Sequence, residues 1–244
     1  MALLEVQGIS KSFGGLQAVK DLTFTLDPGE ILGIIGPNGA GKTTAFNMIA
    51  GTFPPDAGRI RFKGEDITGL HPWNISHRKV ARTFQLSKPF GDLSVLENVM
   101  VGGFHHQGSR AAARRKAEAM LDFVGMAGQA GIEAHNLTAT DRKRLELARC
   151  LATDPEMLLL DEVVAGATPN EASEMMELIR KIRAGGTTIV MVEHVMRVIM
   201  GLSHRILVLH HGETIAMGPP QEVSKDPLVL KAYLGVRHVQ SGHS

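Results

Sequence analysis

Two apolar runs in this chain are short and unbroken, Ile31-Leu32-Gly33-Ile34-Ile35 and Met157-Leu158-Leu159-Leu160. Runs of that length with no polar face read as strands buried on both sides. Residues 3–9 and 22–26 also read as strands, with Gly14-Gly15 at the tip of the turn between them and Asp27-Pro28-Gly29 leading into the first buried run. Arg59-Ile60-Arg61-Phe62 alternates like a strand on an exposed sheet edge, and Val80–Gln85 reads as a further strand. Thr187–Val192 is rich in β-branched residues and ends in Glu193-His194. Arg205–Leu209 and Gly212–Met217 predict a hairpin over His210-His211-Gly212. Helical spacing appears at Thr44–Ala50, closed by Gly51, and at Val95–Val101, where Ser94 and Glu97 form a capping-box pattern and Gly102-Gly103 ends the helix. It returns at Ser109–Val124, at Asp141–Ala152 after a polar turn, at residues 170–184 and at Asp226–Leu234.

The polar residues between these elements carry the chemistry. Gly36-Pro37-Asn38-Gly39-Ala40-Gly41-Lys42-Thr43 fits the P-loop pattern G-x-x-x-x-G-K-[ST] at every fixed position, between a strand and a helix that Thr44 continues. Such glycines let backbone N–H groups surround phosphate oxygens, and the helix N-terminus adds partial positive charge. Lys42 would reach the β- and γ-phosphates, and the Thr43 hydroxyl would ligate Mg²⁺. The plainer reading is a glycine turn between strand and helix. Asp161-Glu162 ends the second buried run. Alone, that is a strand meeting solvent; about 120 residues after a P-loop it matches the Walker B arrangement. Asp161 would then hold Mg²⁺ through its water shell, and Glu162 would polarise the attacking water. His194 ends another strand and can reach a γ-phosphate at the same sheet edge, although a lone histidine is more often structural. Phe13 could stack on a purine or fill a hydrophobic gap. Gln85 by itself is a polar loop residue.

Composition narrows the field. The chain has 244 residues, 43% of them hydrophobic, enough for one large α/β domain or a domain with a subdomain. A net charge of +1 gives no reason to expect nucleic acid or a membrane surface as partner. Arg114, Arg115 and Lys116 read as a solvated helix face. The single cysteine, Cys150, excludes an internal disulfide and reads as a small core residue. The paired histidines lack further ligands, so no metal site is expected there. The N-terminus reads as a strand rather than a signal peptide, and no apolar run approaches the ~18 residues of a membrane span.

The order of the pieces is itself informative: Phe13, the P-loop, Gln85, a helical insert, Arg144-Leu145-Glu146-Leu147-Ala148-Arg149, Asp161-Glu162 and then His194. In that order the chain resembles the nucleotide-binding subunits of ABC transporters, over nearly its whole length. Within them it is similar to the subunits of importers for branched-chain and related amide or hydrophobic amino acids. The residues carrying this are Phe13-Gly14-Gly15-Leu16, Ala18-Val19, Arg82-Thr83-Phe84-Gln85, the Arg144–Arg149 run and Lys231-Ala232-Tyr233-Leu234-Gly235. The resemblance implies an α/β fold: a P-loop NTPase core with an N-terminal antiparallel β subdomain and an inserted α-helical subdomain. Residues 1–90 and 155–225 would form the core with its β subdomain, 91–154 the helical subdomain and 226–244 a terminal helix and tail.

The resemblance also implies a head-to-tail dimer of two ABC ATPase subunits around two ATP molecules, each ATP lying between one P-loop and the other subunit's signature turn. Phe13 would stack on adenine; Gln85 would contact Mg²⁺ or the water and sense the permease. Glu162 would be the base, and His194 would steady the γ-phosphate. A transmembrane permease and an external substrate-binding protein would complete the system, with this subunit peripheral on the cytoplasmic face of the inner membrane. Two other classes remain: a soluble ABC ATPase of DNA repair or translation, which the lack of a coiled-coil insert or basic excess argues against, and a regulatory module with little turnover.

The chain departs from the family in one place above all. The family's signature turn reads L-S-G-G-Q or L-S-Y-G-Q; here it is Leu137-Thr138-Ala139-Thr140-Asp141. Threonine at 140 resists a positive φ that glycine tolerates. Asp141 brings negative charge towards a triphosphate, a repulsion of roughly 3 kcal/mol at ~5 Å and an effective dielectric of 20. Val163 stands where a proline is expected after Walker B, and Thr168 where an acid or Asn is expected. By the resemblance, these positions would face the neighbouring subunit. The expectation is a chain that binds its own ATP well, completes its partner's site poorly through Thr138, Ala139, Thr140 and Asp141, and works in a hetero-pair. The competing expectation is a tolerated turn with normal activity.

Overall fold

Apolar strands with no polar face need cover on both sides, and the computed structural model supplies it with three layers. It describes residues 1–83, 89–104 and 108–240. The chain opens with β1 (Leu4–Phe13), β2 (Leu16–Leu26), β3 (Ile31–Ile35), α1 (Lys42–Ile49), β4 (Ala57–Phe62) and β5 (Glu65–Asp66). Next come α2 (Pro72–His77), β6 (Val80–Arg82), α3 (Val95–Gly103), α4 (Arg110–Phe123) and α5 (Ala139–Leu151). Then follow β7 (Met157–Asp161), α6 (Pro169–Ala184), β8 (Thr188–Val192), α7 (Met196–Leu202), β9 (Arg205–His210), β10 (Glu213–Gly218), α8 (Pro220–Val223) and α9 (Pro227–Gln240).

The central sheet has the order β10-β9-β3-β8-β7-β6 and is parallel except for β10. Its strands alternate between two cores. Ile31, Leu158, Leu160, Ile189, Met191 and Val208 face a core shared with α3–α7. Leu32, Ile34, Leu159, Val190 and Leu207 face a second core with α1 and an antiparallel sheet of order β2-β1-β4-β5. β3, β7 and β8 are buried at every residue, as their unbroken apolar runs require.

The N-terminal hairpin is longer than alternation predicts. Register shifts between Val6 and Ser12 break the period of two, so the pattern loses its phase while the pairing continues to Phe13 opposite Leu16. Arg59–Phe62 is an edge only in part: β5 covers Arg61 and Phe62, and Ile60 and Phe62 point into the core. The short helices α2 and α7 have six and seven residues, too few to show a period. α9 continues to Gln240, beyond the expected Leu234.

Two helix ends differ from expectation for identifiable reasons. α3 keeps its predicted capping box at Ser94 and Glu97 but runs through Gly102-Gly103 instead of stopping there. A Cβ on Gly102 would lie 2.3 Å from the Arg149 carbonyl oxygen, so glycine here allows α3 to approach α5. α5 begins at Ala139, before the expected Asp141, because Thr138 is its N-cap and its hydroxyl accepts from the Asp141 N–H at 3.1 Å.

The Gly102 contact gives a sharp test. Alanine should gain roughly 1 kcal/mol of helix propensity, yet overpacking against a backbone carbonyl costs about 1–3 kcal/mol. Gly102→Ala should therefore lower the urea unfolding midpoint rather than raise it.

Candidate nucleotide-binding site

All five parallel strands end at one edge, and three of them matter most. The P-loop follows β3, Asp161 closes β7 with Glu162 beyond it, and Glu193-His194 follow β8, which lies between the other two. Gly41 has φ 101°, and a Cβ there would lie 2.3 Å from the Ala18 carbonyl oxygen, so the loop is built for glycine on both grounds. The Lys42 ammonium turns back over the loop and donates to the carbonyls of Gly36 (2.8 Å) and Pro37 (3.0 Å). Burial pushes its pKa down, while Glu162 and Asp161 oppose the shift. In front of the loop is a cavity of about 640 Å³ lined by Phe13, Asn38–Thr44 and Glu162, together with Leu16, Gln17, Ala18 and His211. That volume lies within the ~300–1,000 Å³ of small-molecule sites.

The Asp161 side chain lies beneath this surface, and burial raises its pKa against the opposing Arg82 guanidinium, whose Nη2 donates to Oδ2 at 3.1 Å. Glu162 has φ 51°, a left-handed conformation costing a non-glycine residue of order 1 kcal/mol. It is held by an N–H bond to the Val192 carbonyl at 2.9 Å. His194 is exposed, with Nδ1 3.9 Å from Glu162 Oε1. Gln85 lies outside the described residues. Among those residues no group of three His, Cys, Asp or Glu side chains could hold a metal alone. Mg²⁺ needs no such cage, since it keeps waters and phosphate oxygens beside one or two protein oxygens; Thr43 and Asp161 are of that kind.

Thr138–Asp141 do not line this cavity; they form the first turn of α5. The Thr138 hydroxyl donates to Asp141 Oδ2 at 2.9 Å, and the Thr140 hydroxyl donates to Glu171 Oε1 at 2.7 Å. Thr140 does not have a positive φ, so the expected backbone strain is absent: it occupies a helical position, which a β-branched residue can adopt. Lys143 reaches from the same helix to the carbonyls of Glu162 (3.3 Å) and Ala165, fastening α5 to the loop after β7.

These geometries agree with a comparison to known proteins. Residues 19–165 match the family described as "ABC transporter", and residues 213–239 match the one described as "Branched-chain amino acid ATP-binding cassette transporter". The chain belongs to the ABC transporter family. It is 39% identical to the high-affinity branched-chain amino acid transport ATP-binding protein LivG of Escherichia coli (strain K12), covering 96% of this chain and 98% of that one. It is 37% identical to BraF of Pseudomonas aeruginosa, described in the same terms, with the same coverage. A crystal structure of the ADP conformation of an ATP-binding cassette of an ABC transporter superposes with a TM-score of 0.88 at 30% identity, over 96% of this chain and 99% of that one. This ABC protein is thus an ATP-binding, ATP-hydrolysing subunit whose turnover is coupled to transport, and it works with membrane permease partners. No helix among its described residues is long and apolar enough to cross a membrane.

The sequence pattern by itself assigns no role to several residues at this edge. Glu193 is buried, and its Oε1 accepts from the Val164 N–H at 2.9 Å. His211 borders the cavity from the β9–β10 turn, whose Gly212 N–H donates to the Ala40 carbonyl at 3.0 Å. Glu171 did leave a signal, Thr168-x-x-Glu171, which is a capping box at α6. Cys150 is a core thiol as expected, pushed by burial up to about 12, with Sγ donating to the Arg82 carbonyl at 3.2 Å.

The Thr168 N–H, then the Thr140 and Thr168 hydroxyls, hold the Glu171 carboxyl at about 2, below its ordinary 4.5. A depressed carboxylate stabilises the fold above its unfolded pKa, and that contribution is lost as pH falls through the folded value. Thr140→Val should raise the Glu171 midpoint seen by carboxyl NMR, and should shrink the stability lost on acidification from pH 4.5 to about 2.

Proposed function

We propose that this subunit powers the import of branched-chain or related amino acids. Support comes from the shared cavity of P-loop, Phe13 and Glu162, together with the branched-chain amino acid transport for which its relatives LivG and BraF are named. In this reading adenine stacks on Phe13, and the N–H groups of Gly39–Thr44 and the N-terminus of α1 receive the phosphates. Lys42 leaves its two carbonyls for the β- and γ-phosphates. Thr43 and Asp161, with Gln85, would hold Mg²⁺, which when bound would neutralise charge developing on the phosphoryl oxygens. Glu162 takes a proton from the attacking water, and His194, within reach of Glu162, steadies the γ-phosphate. Closure of two subunits on ATP and reopening after hydrolysis then drive the permease. An external binding protein delivers the amino acid, and the subunit works on the cytoplasmic face of the inner membrane.

We infer the pairing partner from the first turn of α5. Because Thr140 is helical and unstrained, the obstacle at the partner's ATP is the charge of Asp141 rather than the backbone. We read the native pair as a heterodimer with a second ABC ATPase whose own signature turn is intact. The same helical backbone favours a second reading, a homodimer of ordinary rate.

Steady-state hydrolysis separates the two. On the first reading the pure chain is slow, Asp141→Gln alone restores most of the rate, and Thr140→Gly adds little. A pure chain already as fast as ordinary importer subunits, unchanged by Asp141→Gln, selects the homodimer. Glu162→Gln should cut the rate by about 10²–10⁴ and leave ATP bound; unchanged turnover would remove Glu162 as the base.

A further inference from the structure

Arg82 ends β6 at the floor of a cleft of about 320 Å³ between the sheet and the helices α3 and α5. Its side chain is only 13% exposed. Nη1 donates to Asn47 Oδ1 at 2.6 Å and to Thr52 Oγ1 at 3.3 Å, and Nη2 donates to Asp161 Oδ2 at 3.1 Å. The guanidinium lies 5.1 Å from the centre of the Phe46 ring. One side chain thus bridges α1, the helix that begins with Lys42 and Thr43, and the last residue of β7. The next residue repeats the link: the Thr83 hydroxyl accepts from the Asp161 N–H at 3.1 Å.

We propose that Arg82 is a positioning residue of the Mg²⁺ site, its guanidinium fork holding the Asp161 carboxylate in register with the P-loop helix. The inference rests on Asp161 being a Mg²⁺ contact. A carboxylate at a strand end can turn about two bonds, and a planar donor anchored on a second element removes that freedom. Oδ2 is engaged by Arg82, and the carboxylate so held would meet the ion through its water shell. Lysine offers a point charge and no fork, so it cannot span Asn47 and Asp161 in the same way. The arrangement also joins the cleft floor to the metal site, because the Arg82 carbonyl is bonded to Cys150 of α5.

The test is binding of a fluorescent non-hydrolysable ATP analogue to the full chain, followed by anisotropy in EDTA and along a Mg²⁺ titration. Wild type is compared with Arg82→Gln, Arg82→Lys, Asn47→Ala and Asp161→Asn. Arg82→Gln should keep its EDTA affinity within about two-fold while the half-saturating Mg²⁺ rises about tenfold. Arg82→Lys should fall between it and wild type. Asn47→Ala, which leaves the ion pair in place, should shift the same way by less, and it carries the test if Arg82→Gln does not fold. Unchanged Mg²⁺ midpoints in the Arg82 and Asn47 variants, with Asp161→Asn still impaired, overturn the role of Arg82 alone. A Mg²⁺ dependence that Asp161→Asn does not alter overturns the metal assignment and this proposal with it.

Discussion

A parallel sheet collects the carboxyl ends of its strands at one edge, and the chemistry of this protein depends on that constraint. β3 delivers the P-loop, β7 delivers Asp161 and Glu162, and β8 delivers His194, each from a strand buried along its whole length. Such strands cannot slide, because a shift of one residue would exchange the contents of the two cores. The positions of Lys42, Asp161 and Glu162 relative to one another are therefore set by the packing of Leu159, Val190 and Ile34 far more than by contacts among the polar groups.

Around that rigid edge the polar contacts are mostly bridges between elements. Arg82 joins β6, α1 and β7; Lys143 joins α5 to the loop after β7; Glu193 joins the end of β8 to the same loop; and Thr140 with Glu171 joins α5 to α6. Three of these bridges use a backbone group or a buried charge, where a bond is worth more than at the surface and a lost partner costs more, and the fourth joins two side chains, Thr140 and Glu171. The loop after β7 receives two of them, at Glu162 and Ala165 from Lys143 and at Val164 from Glu193, and Glu162 is itself held with a positive φ.

The departure from the family's signature turn looks different in this setting. In sequence, Thr140 is a threonine where a glycine belongs; in the structure it is the second helical residue of α5 and gives its hydroxyl to Glu171. What glycine would have left bare becomes a fastening to α6. The Asp141 carboxylate closes back on the Thr138 hydroxyl. A steric objection raised from residue type disappears, and an electrostatic one stays.

The elements themselves were written in the sequence. Unbroken apolar runs define β3 and β7, the glycine-lysine spacing defines the P-loop, and Ser94 with Glu97 starts α3, because all of these depend on local geometry and short-range periodicity. The order of motifs was enough to suggest the family. Periodicity lost the hairpin where β-bulges shifted its phase, and it missed α2 and α7 for want of length. Gly102 looked like a helix stop because the feature that requires it, the Arg149 carbonyl, is 47 positions further along the chain. The same holds for Arg82, whose partners Asn47 and Asp161 lie on two other elements. Sequence determined what most segments would become and singled out the groups proposed here to bind phosphate. Only the tertiary structure decided which buried side chains hold those groups in place, since a bridge between distant elements leaves no periodic trace in either one.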